Sequence, residues 1–409
     1  MSDERYLVIS SDCHAGGDIA DHRPYLPAEY LDEFDTWRAT FENPWADLSD
    51  ADAARNWDSA MRLADLETEG VVAEVVYPNT VPPFFPKSSL TNSLPPLSAG
   101  DARKRWVGLQ AANRWLADFC ADAPGRRAGV IQITMYDMEA SVAEIRRCHA
   151  AGLHGGILLP GVPPGQGLPQ LHDPYYEPLW DVCEELGIPV NHHGGSANPP
   201  MGDQPEDPVV FLLEVTMWSH RALPQLIVSG AMERHPDLKF VFTEQGSAWI
   251  PDELARLDYF FTRMRTAVGS QEHVWGEPVM AKLPLQPSEY WARQCYVGAS
   301  FQRGPEAQLR HRIGLDKIMW GTDYPHREAS SPFTVEALRA AYAGMPADEV
   351  AMMVGGNAAH VYGFDAAALR PLADRIGPLV SDVAEPLRPG DVPRAAEKCP
   401  ALAGYGAAA

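Results

Sequence analysis

No apolar run in this sequence approaches the roughly 20 residues that a membrane-spanning helix needs. Residues Met1 to Tyr6 hold no cationic stretch followed by a long apolar one, so no secretory leader is expected and the chain is expected in the cytoplasm. Positive charge is scarce. Lys and Arg number 33 against 55 Asp and Glu, a formal net charge of −22. A surface that acidic repels phosphate backbones and anionic lipid, which excludes nucleic acid and membrane as main partners. Cysteine is sparse and scattered: Cys13, Cys120, Cys148, Cys183, Cys295 and Cys399 form no CxxC pair and no disulfide framework. They read as buried thiols in a reducing compartment. No GxGxxG follows the first strand candidate, which removes the support for an open dinucleotide-binding sheet.

Apolar residues are plentiful, at 45% of 409, enough for a large core. Short runs rich in Val, Ile and Leu occur at 6–10, 71–77, 128–134, 155–159, 188–192, 239–243, 295–299 and 317–320. Each is apolar on both faces, as a parallel strand covered on both sides must be. Helical patterns follow at 53–69, 102–121, 138–151, 175–186, 208–221, 248–265, 305–313 and 332–343. Eight strands alternating with eight helices predict a closed (β/α)8 TIM barrel over residues 1–365. Two insertions leave the carboxyl ends of strands one and two, the side on which barrel active sites sit. The first, 15–52, carries Pro24, Tyr25, Tyr30, Trp37, Phe41 and Trp45; the second, 78–100, carries Pro82-Pro83-Phe84-Phe85-Pro86. Both are expected to wall or cover a pocket. Residues 366–409 add no ninth unit and are expected to pack as a C-terminal tail on the body or on a second copy, in a homodimer.

Chemistry-bearing residues collect at strand ends. Asp12 and His14, two apart in extended chain, point to one side and can share an ion. His192 and His193 must face opposite ways; the one beside Gly194-Gly195 lies at the strand mouth, which favours His193 as the inward residue and leaves His192 as a structural one. Glu244 ends strand six. Asp323 follows strand eight directly and needs a metal or a strong donor to stay ionised when buried; His326 lies just beyond. Two imidazoles with carboxylates at one barrel rim form the ligand set of a catalytic divalent ion.

The segments Ile9-Ser10-Ser11-Asp12-Cys13-His14, Asn191-His192-His193-Gly194-Gly195, Glu233-Arg234-His235-Pro236, Trp320-Gly321-Thr322-Asp323-Tyr324-Pro325-His326 and Gly356-Asn357-Ala358-Ala359 give the chain its resemblance. Over about residues 6–364 it resembles the amidohydrolase superfamily, in the amidohydrolase-2 branch related to aminocarboxymuconate-semialdehyde decarboxylase and hydroxybenzoate decarboxylases. The resemblance implies a (β/α)8 barrel with one divalent ion, Zn²⁺ or Mn²⁺, held by Asp12, His14, His193 and Asp323. Asp12 stands where many members have His, or Glu in several decarboxylases. Glu244 stands where several decarboxylases have His.

That second departure favours hydrolysis. The expected function is a metal-dependent hydrolase of a small cyclic or aromatic molecule, with Zn²⁺ activating a water, Asp323 taking its proton, and Glu244 or His326 serving the leaving group. The alternative is non-oxidative decarboxylation of an aromatic or unsaturated acid, with Arg303 or Arg327 binding the anionic substrate. A barrel that has lost its chemistry and only binds is a third reading, opposed by ligand-capable residues at all four positions.

Overall fold

The computed structural model describes residues 4–42, 50–86, 95–163, 165, 167–195, 202 and 204–407. Its strands are β1 (Val8–Ala15), β2 (Val71–Pro78), β3 (Arg127–Gly129), β4 (Ile131–Gln132), β5 (Ile157–Leu158), β6 (Val190–His193), β7 (Phe240–Thr243), β8 (Cys295–Ser300) and β9 (Ile318–Gly321). All pairings are parallel, β1-β2-β3 in one run and β4 through β9 in the other. β3 and β4 are two pieces of one barrel strand interrupted at Val130, whose N–H still reaches Val76 O at 2.9 Å. The seam between β9 and β1 closes through a Cys13–Tyr324 bridge, His14 N to Tyr324 O at 2.7 Å and Asp323 N to Asp12 O at 2.8 Å. Eight barrel positions result, as the alternation predicts.

Burial explains the apolar strands. Ile9, Val75, Tyr77, Val241, Tyr296 and Met319 share one buried cluster with the tail helix, while Val8, Val76, Ile131, Phe242 and Trp320 pack with the surrounding helices in another. All six cysteines are buried and free. Among the described residues no helix is long and apolar enough to cross a membrane.

The insertion after β1 folds into short helical turns and the helix Leu31–Arg38. Its Phe34 and Leu26 pack with Phe84 of the second insertion, so the two aromatic-rich segments bury each other. Trp45 lies outside the described residues. The tail helix (Ala366–Ile376) places Leu369 and Ala373 against residues of β1 and β2, and Tyr6 N–H donates to Pro378 O at 2.9 Å. Two helices between β7 and β8, Gln271–Met280 and Pro287–Gln294, were not expected from the sequence.

A charged triad is fully buried beneath the β1–β2 pair. Arg62, on the helix α1 (Ser59–Thr68), lies 2.6 Å from Glu74 of β2, and Arg127 of β3 lies 3.1 Å from the same carboxylate. Burial alone would push the Glu74 carboxyl up, yet the two guanidinium groups hold it below the usual carboxylate range. Its stabilising contribution is therefore complete above the ordinary Glu range and is lost as the pH falls through the depressed native value. Glu74→Gln leaves two buried cations short of their counter-charge and should cost about 3–5 kcal/mol. Denaturant unfolding at neutral pH checks this; a change under about 1 kcal/mol would show the triad to be energetically idle.

Candidate metal centre

β1, β6, β7 and β9 deliver their last residues to one rim. Ligand-capable atoms of Asp12, His14, His193 and Glu244 all lie within 4.8 Å of one another, and His14, Asp323 and His326 form an overlapping group. His14 Nε2 is 3.3 Å from Asp12 Oδ1 and 3.1 Å from Asp323 Oδ1. His193 Nε2 is 3.4 Å from Asp12 Oδ1 and 3.3 Å from Glu244 Oε2. The imidazoles of His14 and His193 meet edge to face, 5.1 Å between centroids.

Backbone geometry sets this convergence. Asp12 and His14 share the inward face of β1, as period-two alternation requires. Glu244 and Asp323 both leave their strands in the left-handed region, at φ 55° and 59°. Non-glycine residues there carry local strain, and such strain concentrates at functional sites. Gly321 makes room: a Cβ on it would lie 2.7 Å from Asp12 Cβ.

The electrostatics demand positive charge. Burial disfavours ionised Asp12, but His14 and His193 hold it far below the usual carboxylate range. Asp323 is likewise lowered against burial, by His326 and His14. Burial would lower both imidazoles, yet the carboxylates raise His14 and bring His193 up to about 9. Glu244 goes the other way, pushed up to about 7 by burial and by the charge of Asp323. Asp12 Oδ1 and His14 Nε2 are buried, and neither makes a hydrogen bond among the described residues despite their short separation. Both donors aim into the space they share. Carboxylate oxygens and imidazole nitrogens converging there fit a divalent cation by donor chemistry and by burial.

Neighbouring residues fix these groups. Ser300 Oγ donates to Asp12 Oδ2. Arg62 Nη1 donates to His14 O at 2.7 Å, which ties the buried triad to the site. His326 Nδ1 lies 3.0 Å from Asp323 Oδ1 and its Nε2 3.2 Å from Asn79 Oδ1, so both ring nitrogens hold neighbours. Tyr77 is 4.9 Å from His193, ring to ring, and its hydroxyl is 2.9 Å from Thr243 Oγ1. Sequence reasoning passed over Tyr77, Asn79 and Ser300. Tyr77 and Ser300 end barrel strands and Asn79 follows β2 directly, the one signal that pointed to them.

His192 turns away, as alternation predicts, with Nδ1 3.0 Å from Leu159 O. The two candidate anion anchors are corrected. Arg303 is 60% exposed and gives its guanidinium to Glu306 at 2.9 Å; Arg327 is 56% exposed and pairs with Asp50 at 3.0 Å. Each is turned to solvent by a nearer carboxylate, and neither belongs to the cluster.

A family model described as Amidohydrolase matches residues 85–364. Gamma-resorcylate decarboxylase of Rhodococcus jostii is 26% identical over 257 residues, 58% of this chain and 72% of that protein. 2-Amino-3-carboxymuconate-6-semialdehyde decarboxylase of Dictyostelium discoideum is 25% identical over 275 residues, 66% and 67% of the two chains. Among solved structures, 5-carboxyvanillate decarboxylase of Sphingomonas paucimobilis superposes with TM-score 0.63 at 20% identity, covering 88% of this chain and 100% of that one. A dihydroxybenzoic acid decarboxylase of a Polaromonas species, with bound manganese and the inhibitor 2-nitroresorcinol, gives 0.60 at 16%, covering 89% and 99%. The structural likeness confirms the barrel. The names overturn the hydrolase expectation: these relatives are decarboxylases, and the departure at Glu244 was a poor guide to reaction type.

Proposed function

Since the chain belongs to the amidohydrolase family, we propose that it is a non-oxidative decarboxylase of a small aromatic or unsaturated carboxylic acid, dependent on one divalent cation. The observation that carries the reading is the buried, hydrogen-bond-poor meeting of Asp12 and His14 beside His193 and Asp323, in a chain whose named relatives decarboxylate. Asp12, His14, His193 and Asp323 would hold the cation, and manganese in a structural neighbour makes Mn²⁺ the first ion to test, before Zn²⁺. When bound, it supplies a fixed positive charge that can receive a carboxylate and an adjacent oxygen and draw electron density from the reacting carbon.

The chain's own groups do the remainder. His14 and His326 hold Asp323 ionised and fixed in direction. Tyr77, itself buried, packs against the His193 ring and steadies it. Glu244 is the proton donor in this reading. The bond from the ring carbon to the carboxylate breaks, carbon dioxide leaves, and the electron pair left on carbon takes the Glu244 proton; a proton taken up from solvent then restores the carboxyl, so each turnover consumes one proton. His326, with both nitrogens engaged, orients Asp323.

The test is a panel of hydroxybenzoates and unsaturated dicarboxylic acids offered to the manganese-loaded chain in D₂O. The expected result is carbon dioxide release with one deuterium at the carbon that lost the carboxylate. Hydrolysis of lactones or amides with no acid in the panel decarboxylated would sink the reading.

A further inference from the structure

One helix reverses the usual placement of apolar side chains. Between β6 and β7 runs α2 (Asp207–His220), with Pro208 in its first turn. A surface helix turns its apolar side to the core and its charge to water. On α2, Val209, Val210, Leu212, Leu213 and Met217 point outward, from 46% exposed at Val210 to 72% at Leu212. Glu214 instead lies on the half-buried side, with Phe211 and Trp218. Val210, Leu213 and Met217 follow one another at i, i+3 and i+7, the spacing of a seam that receives a second helix. An apolar stripe of this kind left to water marks an interaction site.

The ends of the helix say what covers it. Exposed Glu206 precedes α2, and Arg221 follows it with its guanidinium 4.6 Å from the Trp218 ring. Neither has an ion-pair partner among the described residues. The two stand at nearly equal distances along the helix from Leu213. When two copies of α2 run antiparallel about a two-fold axis at Leu213, each Glu206 comes beside the other copy's Arg221. One apolar stripe then meets its own image, the self-complementary contact of a symmetric dimer. A lipid surface fits poorly, because an interfacial helix lines its polar face with Lys and Arg. α2 holds neither, on a chain of net charge −22. The tail, expected to serve a homodimer, is taken up by its own chain: Leu369 and Ala373 share a buried cluster with β1 and β2, and Val392 and Leu402 share another with Ala337.

We propose that α2 pairs antiparallel with the α2 of a second copy of this chain, across a two-fold axis at Leu213, with Glu206 and Arg221 closing the two ends of the seam. The pairing surface stands beside the metal centre. His220 Nε2 lies 3.0 Å from the O of Gln245, the residue after Glu244, and the His220 ring stacks on Trp249 at 3.9 Å.

Sedimentation of the full chain over a range of concentrations tests this. Wild type should sediment as a dimer. Leu213→Glu and Leu213→Lys each bring like charges face to face at the axis, and each should raise the dissociation constant at least ~100-fold. Mixing the two variants should restore the dimer, since opposite charges then meet. Arg221→Glu should weaken pairing, and adding Glu206→Arg should recover it. Leu213 is exposed, so neither charge is buried in the monomer, and circular dichroism verifies that each variant is folded. A monomeric wild type overturns the proposal, and so does a dimer that survives both Leu213 variants. Leu213 variants that stay apart when mixed, or a charge exchange that recovers nothing, overturn the antiparallel two-fold alignment. A monomer that sediments with phosphatidylglycerol vesicles gives the stripe to lipid and overturns the proposal as well.

Discussion

His193→Ala should yield a folded barrel with almost no bound divalent ion and turnover reduced at least ~10³-fold, since several kcal/mol of charge stabilisation go with the cation. Its imidazole sits between Asp12 and Glu244 at 3.4 and 3.3 Å. The control is one residue away. His192 faces the helical shell, is bonded to Leu159 O and is lowered to about 4 by burial, so it stays neutral and structural. His192→Ala should cost stability and leave metal content intact. Elemental analysis of both purified variants, with circular dichroism to verify folding, reads the contrast directly. Wild-type metal in the His193 variant would remove it from the ligand set.

That contrast shows what was legible in the sequence. Strand alternation splits two adjacent histidines between core and site, and the Gly pair marks which one reaches the mouth. Asp12, His14, Glu244 and Asp323 were readable because a parallel barrel gathers the ends of its strands at one rim. Arg327 was misplaced because its partner, Asp50, lies 277 positions away and only folding brings them together. Arg303 was a lesser excuse: Glu306 stands three residues on, at the start of a helix, a spacing that favours pairing. Tyr77 and Ser300 look like ordinary strand residues until register sets them beside His193 and Asp12. Reaction type was hinted at only by the resemblance to decarboxylases, and the departure at Glu244 turned the expectation to hydrolysis. One set of carboxylates and imidazoles serves hydrolysis and decarboxylation alike, and fold does not choose between them.

The choice of proton donor rests on Glu244. Its carboxyl reaches the rim from a left-handed strand end, touches His193, and stays half-buried where a substrate can meet it. Asp323 is fully buried and held ionised by two histidines, and His326 has both nitrogens engaged, so neither is placed to release a proton. Glu244→Gln keeps shape and polarity and removes the acid. General-acid catalysis is worth ~10²–10⁴-fold, so kcat should fall by that order while metal content and KM stay near wild type. The pH profile supplies the sign. Burial and the charge of Asp323 raise the carboxyl, and a cation bound beside it lowers it again, so the donor form is lost above whatever value the loaded site sets. Wild-type kcat should therefore show a descending limb with rising pH, and that limb should be absent in the Gln variant. Glu244→Asp, which retracts the acid by one methylene, should retain the limb at reduced rate. If Glu244→Gln instead lowers metal occupancy, the carboxylate is a cation ligand, matching its place within 4.8 Å of Asp12, His14 and His193, and the ring carbon must be protonated by another group. If kcat, KM and metal content all stay at wild-type values, Glu244 is no more than the ion-pair partner of His193.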